Sequence, residues 1–195
     1  MAHLRPLEQH EIEDASILER FEHYRQTRGF TPNSIRTMAR RPAIVKAFMA
    51  LNQAVLYEGT VAEELKMLVS LAASMASGCR YCQSHMANLS SIFEAPDDKI
   101  AAIWEFETSE LFSDAERAAI ALAIKAGTLP NDARQEDFDE LAKHFDEGQI
   151  VEIVASIALF GFLNRWNDTM ATRLEELPKN RIKTVLPEWE EGKHG

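Results

Sequence analysis

Two cysteines and a histidine stand within nine residues of one another in the stretch SGCRYCQSH, residues 77–85, and the 195-residue chain holds no other cysteine. The deprotonated thiol is the form that attacks electrophiles and binds metals. A Cys-x-x-Cys on the first turn of a helix sets both sulfurs on one side, close enough for a disulfide, where the positive end of the helix dipole favours a thiolate. His85, three residues after Cys82, shares its face. It can take the thiol proton and later return one to a leaving oxygen. His85 is farther from Cys79, so the spacing makes Cys82 the histidine-activated sulfur. Cys79 lies nearer the positive helix end and is also a candidate thiolate, and spacing alone leaves open which sulfur attacks.

A zinc site is the second reading. A closed zinc site takes four ligands, and Cys79, Cys82 and His85 supply three. The fourth would come from His23, His144 or a carboxylate, since no second cysteine pair exists. The redox reading ranks above it, and neither a metal nor a cofactor is expected. The plainest reading, two ordinary core cysteines, accounts poorly for their spacing beside a histidine and behind a glycine.

Helices must position these groups, because helix signals dominate the chain and strand signals are weak. IEDASILERFEHYRQTRG places Ile12, Ile17, Leu18, Phe21 and Tyr24 on one face, and Gly29 ends it. Thr31 reads as an N-cap with Pro32 at the first helical position. PAIVKAFMALNQAVLYEG is a helix closed by Gly59. Thr60 and Glu63 match a capping box opening the next helix, and Ser113 and Glu116 match another. The small-residue run LAASMASG invites close approach of another backbone. Ser77 or Gly78 marks the start of the cysteine helix, and PDDKIAAIWEFE is a shorter one. The segments 132–145 and 146–177 continue the helical pattern. The tail PKNRIKTVLPEWEEGKHG, with two prolines and many charges, is expected to be extended, or ordered only against a neighbour. The two Ala-rich helices that end at Gly78 and Gly127 echo each other faintly.

The length fits one domain, taken as 1–195. The net charge of −10 disfavours a nucleic-acid partner, and the basic cluster at 36–42 reads as a solvated helix face. The N-terminus shows no apolar leader. The longest apolar run, 150–163, is broken by Glu152 and reads as a buried helix rather than a membrane span. These features point to a cytoplasmic protein with no membrane partner, where a close cysteine pair is catalytic or metal-binding more often than structural.

LVSLAASMASGCRYCQSHMANL resembles the signature of the alkylhydroperoxidase D / carboxymuconolactone decarboxylase superfamily. LFSDAERAAIALA, the segment around 138–168, and GFTPNSIRTMARRPAIVKAFMAL extend the likeness over about residues 29–170, nearest to its peroxidase-related branch. The resemblance implies an all-α helical bundle that forms homo-oligomers. It implies a thiol-dependent peroxidase or disulfide reductase serving antioxidant defence, with a hydroperoxide as substrate. A dithiol donor, lipoylated or thioredoxin-like, or a small thiol would restore the cysteines. It also implies roles: Cys82 attacks the peroxide, Cys79 resolves, and His85 belongs to a proton relay. Two departures stand out. The family's histidine usually follows the second cysteine by four residues, not three. Its relay glutamate would fall at Met67, so Glu64, one turn earlier, is the candidate substitute, against a plain role in charging the helix start.

Other residues have plainer readings. Glu116 is explained by capping, and His144 by a place on the rim. Asn164 and Asn167 either satisfy backbone groups or line a pocket, with structure the preferred reading, and Trp166 is core or interface. Two further functions remain in view: a cofactor-free decarboxylase acting on a small lactone acid, and a non-catalytic redox-sensing oligomer. The first needs no cysteine pair, so an intact pair argues against it.

Overall fold

Residues 2–195 are described in a computed structural model, and no strand occurs among them. Ten α-helices follow in order: α1 (Ala15–Arg28), α2 (Asn33–Met38), α3 (Pro42–Tyr57), α4 (Glu63–Ser77), α5 (Arg80–Ile92), α6 (Asp97–Ala101), α7 (Asp114–Gly127), α8 (Gln135–Leu141), α9 (Glu147–Met170) and α10 (Glu176–Val185). Short 3-10 turns lie at 9–11, 102–105 and 192–194.

α4 is the axis of the bundle and packs against α5, α7 and α9. Its small-residue run does bring a backbone close: a Cβ at Gly127 of α7 would lie 2.8 Å from the Ala73 carbonyl oxygen. Leu68, Val69, Leu71, Ala72 and Ala73 are all buried on α4. Ser113 and Glu116 form the expected reciprocal cap of α7, and Gly29 ends α1 in the left-handed region.

Two expected caps are replaced. α2 begins at Asn33 with Pro32 as N-cap, and the Thr31 hydroxyl donates instead to the Phe21 carbonyl at 3.1 Å. α4 begins at Glu63 behind Ala62, without a side-chain cap. The reason lies far along the chain, because the Glu152 carboxylate accepts from the Thr60 and Val61 amides at 2.9 and 3.0 Å. Gly59, at φ +96°, makes the turn beneath that carboxylate, and a Cβ there would collide with it.

α9 is longer than the apolar run that announced it. By length and composition it could cross a membrane. Here it packs against α3, α4, α5 and α7 and buries Ile153, Ser156, Leu159, Phe160 and Asn167. Its outer face keeps Val151 and Phe162 exposed.

The tail is not extended. α10 lies across α5, and the segment after it folds back onto the bundle. Trp189 is buried and donates to the Gln83 side chain at 2.9 Å. His194 is buried as well, its carbonyl accepting from the Leu174 amide at 2.8 Å. Apolar burial of Ile182 and Trp189 outweighs the turn-forming bias of the two prolines.

Candidate functional site

Gly78, at φ +78°, closes α4 in the left-handed region and turns the chain into α5. Cys79 is thereby the N-cap residue of α5, one position later than the sequence suggested, and Cys82 lies in its first turn. Both sulfurs are buried free thiols. The Cys82 thiol beside it draws Cys79 down to about 6, against the upward push of burial, with further help from His194 and the Cys82 backbone N–H. Cys82 goes the other way: burial and the charge on Cys79 push it well above the ordinary thiol range, opposed by the Asn167 amide. These opposite shifts make Cys79 the more acidic thiol of the pair.

The two sulfurs face different surroundings. Cys82 lines a narrow cavity of about 50 Å³ whose walls are mostly apolar, with Tyr24, Phe48, Met86 and Phe160 among them. Cys79 is absent from that lining and faces the folded-back tail, where its sulfur, an Asp168 carboxylate oxygen and a His194 ring nitrogen lie within 4.8 Å of one another.

His85 joins Cys82 in the cavity wall. Its ring stacks on Tyr81, with centroids 4.3 Å apart, and its Nε2 meets a Glu175 carboxylate oxygen at 2.7 Å. The other Glu175 oxygen accepts from the Tyr81 hydroxyl at 3.0 Å and from the Asn33 amide. Glu175 thus ties α2, α5 and α10 together and fixes the imidazole, leaving Nδ1 as the ring nitrogen it does not engage. Asn167, near the end of α9, donates through Nδ2 to the Cys82 sulfur at 3.4 Å. Its preferred structural reading is therefore incomplete, since this amide touches the Cys82 sulfur and lines the cavity.

Of the expected residues, Cys82 and His85 line the cavity together, and Cys79 lies beside Cys82 on the tail side. Glu64 does not line the cavity. Its carboxylate lies at the start of α4, paired with Lys99 at 3.1 Å, and Lys99 also reaches Glu116 at 2.5 Å. The carboxylate beside the histidine is Glu175. Neither Glu175 nor His194 was foreseen. Both follow Ala171, which ends α9 at φ +46° without a glycine or proline to mark the break.

A metal would find donors on the tail side of the pair. Cys79, Asp168 and His194 offer sulfur, oxygen and nitrogen, while in the zinc set read from the sequence His85 keeps Nδ1, its Nε2 being engaged by Glu175. Lys193 holds the second Asp168 oxygen at 2.7 Å, so a cation already neutralises that carboxylate.

A sequence profile described as the carboxymuconolactone decarboxylase family matches residues 42–125. Among solved structures, a debrominase, Bmp8, in a cysteine-to-alanine variant bound to 2,3,4-tribromopyrrole, is 34% identical, with 93% of this chain and 96% of that chain covered and a TM-score of 0.86. Its apo form is 35% identical over the same shares at a TM-score of 0.85. An alkylhydroperoxidase AhpD core, a peroxidase-related protein from Ralstonia eutropha JMP134, shares the fold at 22% identity, covering 91% of this chain and 94% of its own, with a TM-score of 0.80. The protein YnjA of Escherichia coli K12 is 29% identical over 120 residues, 60% of this chain and 66% of that protein. The match thus spans just under two thirds of that curated relative.

Proposed function

The chain belongs to the carboxymuconolactone decarboxylase family, within the alkylhydroperoxidase D superfamily, and from that premise we propose that it is a dithiol-dependent reductase of small electrophilic substrates. The observation that carries the reading is the division of the sulfurs: Cys82 faces an apolar cavity, and Cys79, the more acidic thiol, lies behind it on the tail side.

With an organic hydroperoxide, the Cys82 sulfur attacks the outer oxygen. The S–O bond forms and the O–O bond breaks. His85 carries the Cys82 proton to the departing alkoxide, which leaves as the alcohol. The Cys79 thiolate then attacks the Cys82 sulfenic acid, forming the disulfide and releasing hydroxide, which is protonated to water. The peroxide gains two electrons and the dithiol loses them. An external dithiol, lipoylated or thioredoxin-like, reduces the disulfide by exchange.

A second oxidant is favoured by the likeness to a debrominase and by the aromatic cavity wall. With a brominated pyrrole, Cys82 attacks bromine, the C–Br bond breaks, and the ring carbon takes the proton carried by His85. Cys79 then displaces bromide from Cys82 and forms the same disulfide. Both oxidants use one apparatus. A lactone decarboxylase would use neither sulfur.

The test supplies reduced protein with cumene hydroperoxide or a brominated pyrrole and excess dithiothreitol, and follows alcohol or bromide. Turnover of either, lost in Cys82→Ser, is the expected result. Failure with both, together with no two-proton mass loss of the oxidised chain, sinks the proposal. We also propose a cytoplasmic homo-oligomer that covers the outer face of α9, for which light scattering should give a multiple of the 22.0 kDa chain mass.

A further inference from the structure

The tail carries a group that the scheme above does not use. His194 is 1% exposed, and its Nε2 has no hydrogen-bond partner of good geometry. Its other nitrogen, Nδ1, meets the Thr172 carbonyl at 2.8 Å. A carbonyl only accepts, so Nδ1 carries a hydrogen and the ring is fixed with Nε2 turned toward Cys79 and Asp168. A buried imidazole nitrogen left without a partner is costly. Such a nitrogen has a lone pair free to take a proton.

We propose that His194 is the proton acceptor of Cys79, holding the thiol proton on Nε2 so that Cys79 stands ready as the resolving nucleophile. The inference rests on the dithiol reading and deepens it. Each sulfur then has its own histidine: His85 moves the Cys82 proton within the cavity, and His194 keeps the Cys79 proton behind it. Nucleophile, base and orienting group are Cys79, His194 and the Thr172 carbonyl, the arrangement that activates a nucleophile elsewhere.

The balance closes. At rest the site holds the Cys79 thiolate, the His194 imidazolium and the Cys82 thiol. The Cys82 proton leaves on the alcohol in the first step. In the second, the Cys79 thiolate forms the S–S bond, the S–O bond breaks, and the hydroxide released is balanced as water by the His194 proton. The incoming dithiol returns both protons with its two electrons.

The charged and titratable groups facing the ring agree with this. Cys79 and Tyr81 approach from α5, with the tyrosine ring 6.0 Å away, and Asp168 approaches from α9, its Oδ1 3.7 Å from Nε2. Lys193 on the same turn is held by the far Asp168 oxygen. Burial disfavours the imidazolium, yet Cys79, Thr172 and Asp168 together raise His194 above its ordinary value.

Two readouts test the proposal. The first is thiolate absorbance near 240 nm against pH on the reduced protein. The first thiolate should form near 6, where Cys79 is held. His194→Gln should raise that midpoint by about one unit or more, and Asp168→Asn, which removes a negative charge beside the thiol as well as a partner of the imidazolium, should move it less. The second is the Cys82 sulfenic acid, trapped with dimedone after one equivalent of hydroperoxide. It should persist roughly 10²-fold longer in His194→Gln, the scale of a lost acid/base group. Asp168→Asn keeps the Thr172 contact, so it separates the proton role from loosening of the tail, which Trp189 fluorescence reports. An unchanged midpoint and an unchanged sulfenate lifetime in His194→Gln overturn the proposal, as does stoichiometric zinc bound through Cys79. If the wild type forms no disulfide with any oxidant, the dithiol reading fails, while the thiolate midpoint still decides whether His194 holds the Cys79 proton.

Discussion

The two ends of α9 both bury ionisable groups, and they treat them oppositely. Near its start, the Glu152 carboxylate is saturated. It accepts from the Thr60 and Val61 amides and from Lys66 Nζ at 2.8 Å, and Lys66, 1% exposed, also donates to the Glu58 carbonyl. Near its end, Asn167 and Asp168 face the sulfurs, and there the Asn167 Oδ1 and His194 Nε2 atoms stay without partners. A buried polar group that has every bond it can make is a staple. One that keeps an unused donor or acceptor beside a thiolate is poised to change state. The same helix supplies a lock at one end and the proposed reaction site at the other.

The sharpest break of that comparison is Cys82→Ser. It removes the proposed nucleophile, so turnover should fall by about 10³-fold or more, while the melting temperature moves little because the side-chain volumes are similar. A steady-state assay with either oxidant, paired with a thermal melt, checks both halves. Retained turnover would hand the chemistry to another residue.

Glu152→Gln should do the reverse. Lys66 would keep its charge in the interior with its carboxylate gone, a loss of about 3–5 kcal/mol for a broken buried pair. Activity per folded molecule should survive. Acid supplies a second check. Glu152 sits at about 2, below its ordinary value, because Lys66 and the two amides overcome the upward push of burial. A lowered carboxylate contributes stability that is complete above its unfolded value near 4.5 and is lost as pH falls toward 2. Denaturant unfolding across that window should show the loss in the wild type, and Glu152→Gln should flatten it.

Asn167→Ala is the intermediate case. It removes the donor that favours negative charge on Cys82, so the attack step should slow roughly 10-fold, the scale of about 1.5 kcal/mol for a hydrogen bond to a charged group. Cys79 is the more acidic thiol, so the first thiolate midpoint should stay in place. A rise in that midpoint would mean that Asn167 acts on the pair as a whole.

What the sequence made legible follows the range of the forces involved. Cys79, Cys82 and His85 share one short helix, so spacing alone put them together. The Ser113–Glu116 cap is equally local and was read correctly. Thr60 and Glu63 matched the same pattern and failed, because a carboxylate 92 residues away took the Thr60 amide. Glu175 lies 90 residues from the histidine it orients, in a segment read as a continuation of α9. His194 lies in the tail expected to be extended. No local pattern encodes either contact. The one hint was chemical: a buried histidine needs a partner, and the carboxylates read from the sequence for that place were Glu64 and, less favoured, Glu116.

Glu64 itself gives the smallest expected effect and the finest test of the division between lock and site. It pairs with Lys99 on the rim, its side chain 34% exposed, and Lys99 keeps Glu116 as a second partner. A partly exposed pair with a spare partner contributes between 0 and about 1 kcal/mol. Glu64→Gln should therefore lower the melting temperature only slightly and leave turnover within about twofold. Glu175→Gln, which weakens the orientation of His85 but keeps a hydrogen-bonding side chain, should cost roughly 10-fold or more, in line with loss of a group that orients a functional histidine. Steady-state rates of the two variants, measured side by side, place the relay carboxylate. If Glu64→Gln proved the slower enzyme, the proton path would run along α4 rather than through the start of α10.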